Sequence, residues 1–144
     1  MSPVREGVSA ELYAEVQQFY ARQMQALDGG RFAEYAATFT ADGTFQHTPG
    51  TEPAVGPAGV EKELEAFHER FRDDPVQRRH YFNQIVLEPL ENGDLRSTVY
   101  ALIVRVRPQE RPEVWPSCVV HDVVAVTERG IRLRSRSISY DQLS

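Results

Sequence analysis

Imidazole is the side chain best suited to moving protons near neutral pH, and this chain carries four of them. His80 stands in QRRHYFNQIVLEP, where alternation along a strand puts it on one face with Phe82, Gln84 and Val86. By the same rule Tyr100 shares a face with Leu102 and Val104, and His121 shares one with Val119 and Val123. His47 lies in the short run Thr44–Thr48. If these faces converge, they enclose an apolar hollow that receives a few imidazole, phenol and amide groups, the make-up of a small-molecule site. His80 could then move a proton at a carbon beside a carbonyl or at a leaving hydroxyl, with Tyr100 and His47 polarising the oxygen. The plain alternative is a core histidine with one satisfied hydrogen bond, although three histidines and a tyrosine are costly to bury as mere filling.

Other residue types that do chemistry have ordinary readings. His47, His80 and His121 could hold a metal, but no HxH or HxxxH spacing preorganises them, and the single Cys118 allows neither a CxxC site nor an internal disulfide, so no metal is expected. Cys118 alternates with Val120 and Val124 and reads as a buried thiol. His68, among Glu65, Glu69 and Arg72, reads as a solvated rim position. Asp28 in ALDGG either ends a helix or does chemistry, and Asp42-Gly43 reads as a turn. Arg132, Arg134 and Arg136 share one strand face and read as solvated or in salt bridges at an oligomer surface. Trp115 is a pocket lid or a packing anchor, and is counted with Tyr20 and Phe82 among the substrate contacts.

The elements that must position these groups follow from a single change of hydrophobic period. After an N-cap at Ser9, the residues Leu12, Val16, Phe19, Tyr20, Gln23, Met24 and Leu27 recur at helical spacing until Gly29-Gly30. Arg31–Thr40 repeats the pattern more briefly, and Thr44–Thr48 forms a short strand. Pro57 opens a third helix with Val60, Leu64, Phe67 and Phe71 on one face, ended by Asp73-Asp74-Pro75. From there the period is two. Arg79–Glu88 and Leu95–Val106 flank an Asn-Gly hairpin signal, RPQERPEVWP links to Ser117–Thr127, and Glu128-Arg129-Gly130 turns into Ile131–Tyr140. Helices first and antiparallel strands after about residue 78 imply an α+β domain, with helices covering one sheet face.

Composition sets the bounds. The 144 residues suit one domain spanning 1–144, and 41% hydrophobic with 26% charged residues is ordinary for a globular protein. A net charge of −5 with dispersed arginines disfavours nucleic acid. No stretch has the length of a membrane span and MSPVREGVSAEL is no signal peptide, so neither membrane nor export is expected and cytoplasm is the default location.

Three stretches, FYARQMQALDGGRFAEYAATFTADGTF, GPAGVEKELEAF and RRHYFNQIVLEPLENGDLRSTVYALIVRV, together resemble the nuclear transport factor 2-like superfamily, and within it the SnoaL-like branch. The resemblance implies a cone-shaped domain in which three N-terminal helices cover a curved antiparallel sheet over an internal pocket, commonly dimeric through the other sheet face. It implies cofactor-free cyclase, dehydratase or isomerase chemistry, or a non-catalytic binding or accessory role. In the scytalone dehydratase branch a histidine opening this strand works with an aspartate that follows the first helix, which makes His80 and Asp28 the catalytic candidates. His47, Tyr100 and His121 match polar pocket positions of that branch with changed identities, which implies a different substrate, here an apolar aromatic or polyketide-like molecule. For the homodimer, Val120, Val124 and Val126 are taken as the packing face, opposite His121.

Overall fold

The computed structural model describes residues 7–143. Helix α1 spans Ala10–Asp28, and the Ser9 side chain caps it by accepting from the Leu12 amide at 3.1 Å. It buries Val16, Tyr20, Gln23, Met24 and Ala26, close to the face its period implies. A short α2, Phe32–Ala36, follows Gly30, whose φ of 76° suits glycine. Helix α2 ends sooner than the apolar spacing through Phe39 suggests, because Phe39 already belongs to strand β1, Phe39–Gln46. Asp42-Gly43 is therefore no turn but an irregular stretch of that strand, where a Cβ on Gly43 would stand 2.9 Å from the Leu133 carbonyl oxygen. The two-residue β2, Ala54–Val55, leads into α3, Gly56–Glu69, with Pro57 in its first turn.

Four long strands complete the sheet: β3 Gln77–Pro89, β4 Leu95–Val106, β5 Glu113–Thr127 and β6 Gly130–Tyr140. The order is β2-β1-β6-β5-β4-β3, antiparallel except that β1 runs parallel to β6. The α+β class with helices over an open curved sheet is thus present, and the sheet is mixed rather than purely antiparallel. It also recruits residues well before position 78. The linker RPQERPEVWP is partly strand, since β5 starts at Glu113. Apolar side chains of the three helices meet the concave sheet face around Val16, Tyr35, Phe45, Val60, Leu64, Val99, Val120 and Leu133. No described helix is long and apolar enough to cross a membrane.

Bulges decide which side chains enter that interior. In β3 one extra residue sits between the pairs Asn83–Tyr100 and Val86–Thr98, and Gln84 takes a φ of 55°. The face that carries His80 and Phe82 therefore continues through Ile85 and Leu87, while Val86, expected inward, is exposed. In β6, Arg134 is the extra residue between Leu133, opposite Val124, and Ser135, opposite Val123. Parity flips there, so Arg136 points inward although Arg134 does not. The dimer face expected at Val120 and Val124 is instead core, because in β5 Cys118, Val120, Asp122 and Val124 face the helices.

Candidate active site

The interior surface leaves a cavity of about 340 Å³ between the helices and the sheet. Its walls are mostly apolar: Met24 and Leu27 from α1, Leu64 and Phe67 from α3, and Phe82, Ile103 and Val120 from the sheet. Aimed into it are Asp28, His47, Arg78, His80 and Arg136. A second hollow between α1 and β3 touches Asp28 and His80 from the other side.

Asp28 is the last residue of α1, and His80 lies near the start of β3. Their chain separation of 52 residues closes to two hydrogen bonds. The backbone N–H of His80 donates to Oδ2 at 3.0 Å, and Nδ1 meets Oδ1 at 2.5 Å. The Asp28 side chain is nearly buried and that of His80 is partly so. A carboxylate on Nδ1 fixes that nitrogen as the protonated one and leaves Nε2 as the acceptor. The imidazole is thus oriented at the wall of an apolar hollow.

His47 follows β1 and lines the same cavity, between Phe45, stacked at 5.3 Å, and Phe67, edge-on at 4.7 Å. Burial, reinforced by the charges of His80, Arg78 and Arg70, pushes its pKa down to about 4, so it is neutral at physiological pH. Among the described residues its buried Nδ1 has no hydrogen-bond partner, and Glu63 Oε1 stands 3.9 Å away.

Tyr100 and His121, expected among the pocket groups, sit on the opposite sheet face. Tyr100 is 59% exposed, and His121 is also exposed, with Nε2 3.1 Å from Ser139 Oγ. Consequently the three histidines do not converge, and among the described residues no cluster of three metal-ligating side chains occurs. Trp115 is exposed and outside the cavity lining. Tyr20 lies behind the wall, where its hydroxyl meets Ser97 Oγ at 2.7 Å and donates to Asp122 Oδ2 at 2.6 Å, while its ring supports Phe82 edge-on at 5.3 Å. Burial and the Asp122 charge hold its phenol well above the ordinary range. His68 is exposed but lines the cavity mouth beside Phe32. Cys118 is the buried thiol that its alternation suggests, its pKa pushed up to about 11 by burial and by Asp141.

The sequence reading did not place two groups in the pocket. Arg136, 2% exposed, makes a forked pair with Asp122 at 2.9 and 2.8 Å and donates to the Tyr35 hydroxyl at 3.0 Å. Burial works against its charge, but Asp122 outweighs that and its pKa is raised. Only the bulge at Arg134 puts it inside, so alternation alone pointed it outward. Arg78, by contrast, could have been found, since it is two residues before His80 and must share its face.

The SnoaL-like domain profile matches residues 8–137. The chain belongs to the SnoaL-like family. Among solved SnoaL-like relatives, ActVI-ORFA from Streptomyces coelicolor is 44% identical over 92% of this chain and 99% of its own, with a TM-score of 0.86. Aln2, from another Streptomyces strain, is 37% identical over 96% of each chain, TM-score 0.87. A protein from Catenulispora acidiphila, solved in complex with S-DNPA, is 45% identical over 94% of this chain and 97% of its own, TM-score 0.85. Comparison with curated proteins gives no match.

Proposed function

We propose that the chain is a one-domain, cofactor-free tailoring enzyme that cyclises, dehydrates or isomerises an aromatic, polyketide-like small molecule in the cytoplasm, with His80 as proton-transfer residue and Asp28 orienting it. The observation that carries this reading is the doubly bonded Asp28–His80 pair at the wall of an apolar cavity. In a dehydration, Nε2 takes the proton from the carbon beside a carbonyl, the released electron pair forms the new double bond, and the imidazolium returns the proton to the departing hydroxyl, which leaves as water. The histidine ends as it began, and the step needs no oxidant or external acid. Neutral His47 can donate or accept a hydrogen bond at the substrate oxygen without adding charge. The solved complex of the Catenulispora relative with S-DNPA favours a small-molecule occupant for the family pocket.

We also place a homodimer contact on the outer sheet face. Tyr81 and Leu102 pair across β3 and β4, Tyr100 lies two residues before Leu102 and diagonal to Tyr81, and Val114 continues the patch, all exposed and apolar or aromatic.

The test is His80→Gln, assayed on a hydroxy-ketone of aromatic polyketide type together with S-DNPA binding. Turnover should fall about a hundredfold or more while binding persists. Full turnover in the variant sinks the catalytic reading, and an unreactive wild-type protein that still binds S-DNPA supports a binding role instead.

A further inference from the structure

The cations around the cavity are not equally satisfied. Arg136 is held by Asp122 in a forked pair. Arg105 pairs with Glu113 at 2.9 Å, and Arg107 makes a fork to Asp74 at 2.9 and 3.1 Å and reaches Glu113 at 3.2 Å. The half-buried Arg78 has no carboxylate within bonding distance among the described residues, although it lies directly opposite Arg105 in the β3–β4 register. Like charges facing each other across a strand pair destabilise a sheet. Three guanidinium groups, Arg78, Arg105 and Arg107, thus share two carboxylates, Asp74 and Glu113, and the positive charge left over falls on the one that lines the cavity.

The Arg78 guanidinium is also held in place. Its carbon lies 4.4 Å from the Phe71 ring centroid and 5.1 Å from that of Phe67. The two rings hold the guanidinium in place, and among the described residues none accepts a hydrogen bond from its N–H groups. Among the carboxylates of the described residues, only Asp28 reaches the cavity wall, and His80 occupies it. The apolar hollow therefore offers one unmatched cationic fork, in the geometry that binds a carboxylate through two parallel hydrogen bonds.

We propose that Arg78 is the anion anchor of this pocket, and that the occupant is an aromatic or polycyclic acid whose carboxylate sits on Arg78 while its reacting carbon faces His80. This rests on the pocket being the site assigned above and names the class of molecule it accepts. Arg78 and His80 stand two residues apart on one strand face, which separates their Cα atoms by about 6.6 Å. The carboxylate and the reacting centre of the substrate are thus about one fused ring apart. An acid held at one end by a fixed fork presents only one stretch of its skeleton to Nε2, so the anchor selects which carbon loses its proton. Burial and the neighbouring Arg105 and Arg107 lower the Arg78 pKa, but a guanidinium remains charged at any pH at which the protein works.

The experiment uses 2-naphthylacetate and its neutral isostere 2-naphthylacetamide, with binding followed calorimetrically at low salt on the full chain. Wild type should bind the acid at least about tenfold more tightly than the amide, as a charge-assisted fork implies. In Arg78→Gln the preference should disappear, with acid affinity falling much further than amide affinity, and in Arg78→Lys it should persist in weakened form. Equal affinity of the two probes for wild type, binding of neither, or a preference that survives in Arg78→Gln overturns the assignment. If Arg78→Gln does not fold, the wild-type and Arg78→Lys comparisons decide alone: persistence of the preference in both supports it and its absence in wild type overturns it. No turnover is involved, so the result is separable from the catalytic reading. His80→Gln should keep the acid preference even where chemistry is lost.

Discussion

Asp28 holds His80 at two points, the backbone N–H and the ring nitrogen Nδ1, so that the end of α1 and the beginning of β3 are fastened by the same carboxylate that sets the imidazole tautomer. This gives Asp28 a positioning role with two separable parts. In Asp28→Asn the side-chain oxygen can still accept from one of the two donors, whereas Asp28→Ala accepts from neither. The expected order of turnover is wild type above Asp28→Asn above Asp28→Ala, with Asn costing no more than His80→Gln does. A split between kcat and KM separates this from a merely structural effect: Asp28→Asn should lower kcat while KM and the melting temperature stay near wild type, because what is lost is the orientation of the ring and not the pocket. A wild-type kcat in both variants would remove Asp28 from the mechanism.

Arg136 and Asp122 form a buried ion pair wired to Tyr20 and Tyr35, and it ties β5 and β6 to α1 and α2 at the back of the cavity. Removing one partner leaves the other charge buried without compensation, which costs about 3–5 kcal/mol. Asp122→Ala should therefore lower the urea midpoint by that equivalent, and a double replacement, Arg136→Met with Asp122→Leu, should recover a large part of it. A single variant within about 1 kcal/mol of wild type would show that water reaches the pair.

What could be read from the sequence and what could not divide at the bulges. The helical period located α1 and α3, and the Asn-Gly signal located the β3–β4 turn, because these are local properties of a few consecutive residues. Alternation also grouped Tyr100 with Leu102 and His121 with Val119 correctly. It could not say which group faced inward, since Val99 and Tyr100, or Val120 and His121, offer apolar neighbours on both faces of their strands. The outer face is apolar as well, so polarity gave no signal there. Arg136 was lost for a different reason: one inserted residue, Arg134, reverses parity, and Arg134 itself is drawn outward to Asp94 at 2.6 Å. Asp28 and His80 were paired through family resemblance, for no spacing rule joins residues 52 apart.

If the outer sheet face joins two copies, a charge at its centre should separate them. Tyr100 is exposed and its ring supports no core residue, so Tyr100→Asp should leave the melting temperature of the fold within a few degrees while shifting sedimentation at tens of micromolar from dimer to monomer. Monomeric wild-type protein at that concentration rules the contact out. A Tyr100→Asp variant that remains dimeric moves the contact elsewhere.

His47 makes the pocket sensitive to acid, and the sign of the effect follows from its neighbours. Its pKa falls from the model-peptide value of 6.5 to about 4 in the folded chain, through burial first and then repulsion from His80, Arg78 and Arg70. Between those two pH values the unfolded chain binds a proton that the folded chain refuses, so folding stability rises with pH across this window and levels off above it. Read in the other direction, the contribution of neutral His47 is complete above about pH 6.5 and is lost as pH falls toward 4, by up to about 3 kcal/mol. Urea unfolding at a series of pH values should show this slope, and His47→Phe, which fills similar space between Phe45 and Phe67 without a titrating group, should flatten that part of the curve. Carboxylate titrations in the same range act on both proteins alike, so the difference between the two curves isolates the imidazole. The same protonation would place a second cation beside His80 and Arg78, and ligand affinity in the acid range should change with it in wild type but not in His47→Phe. Parallel stability curves for the two proteins between pH 4 and 6.5 would mean that His47 titrates as it does in the unfolded chain, and that the imidazole is open to water rather than enclosed by the aromatic wall.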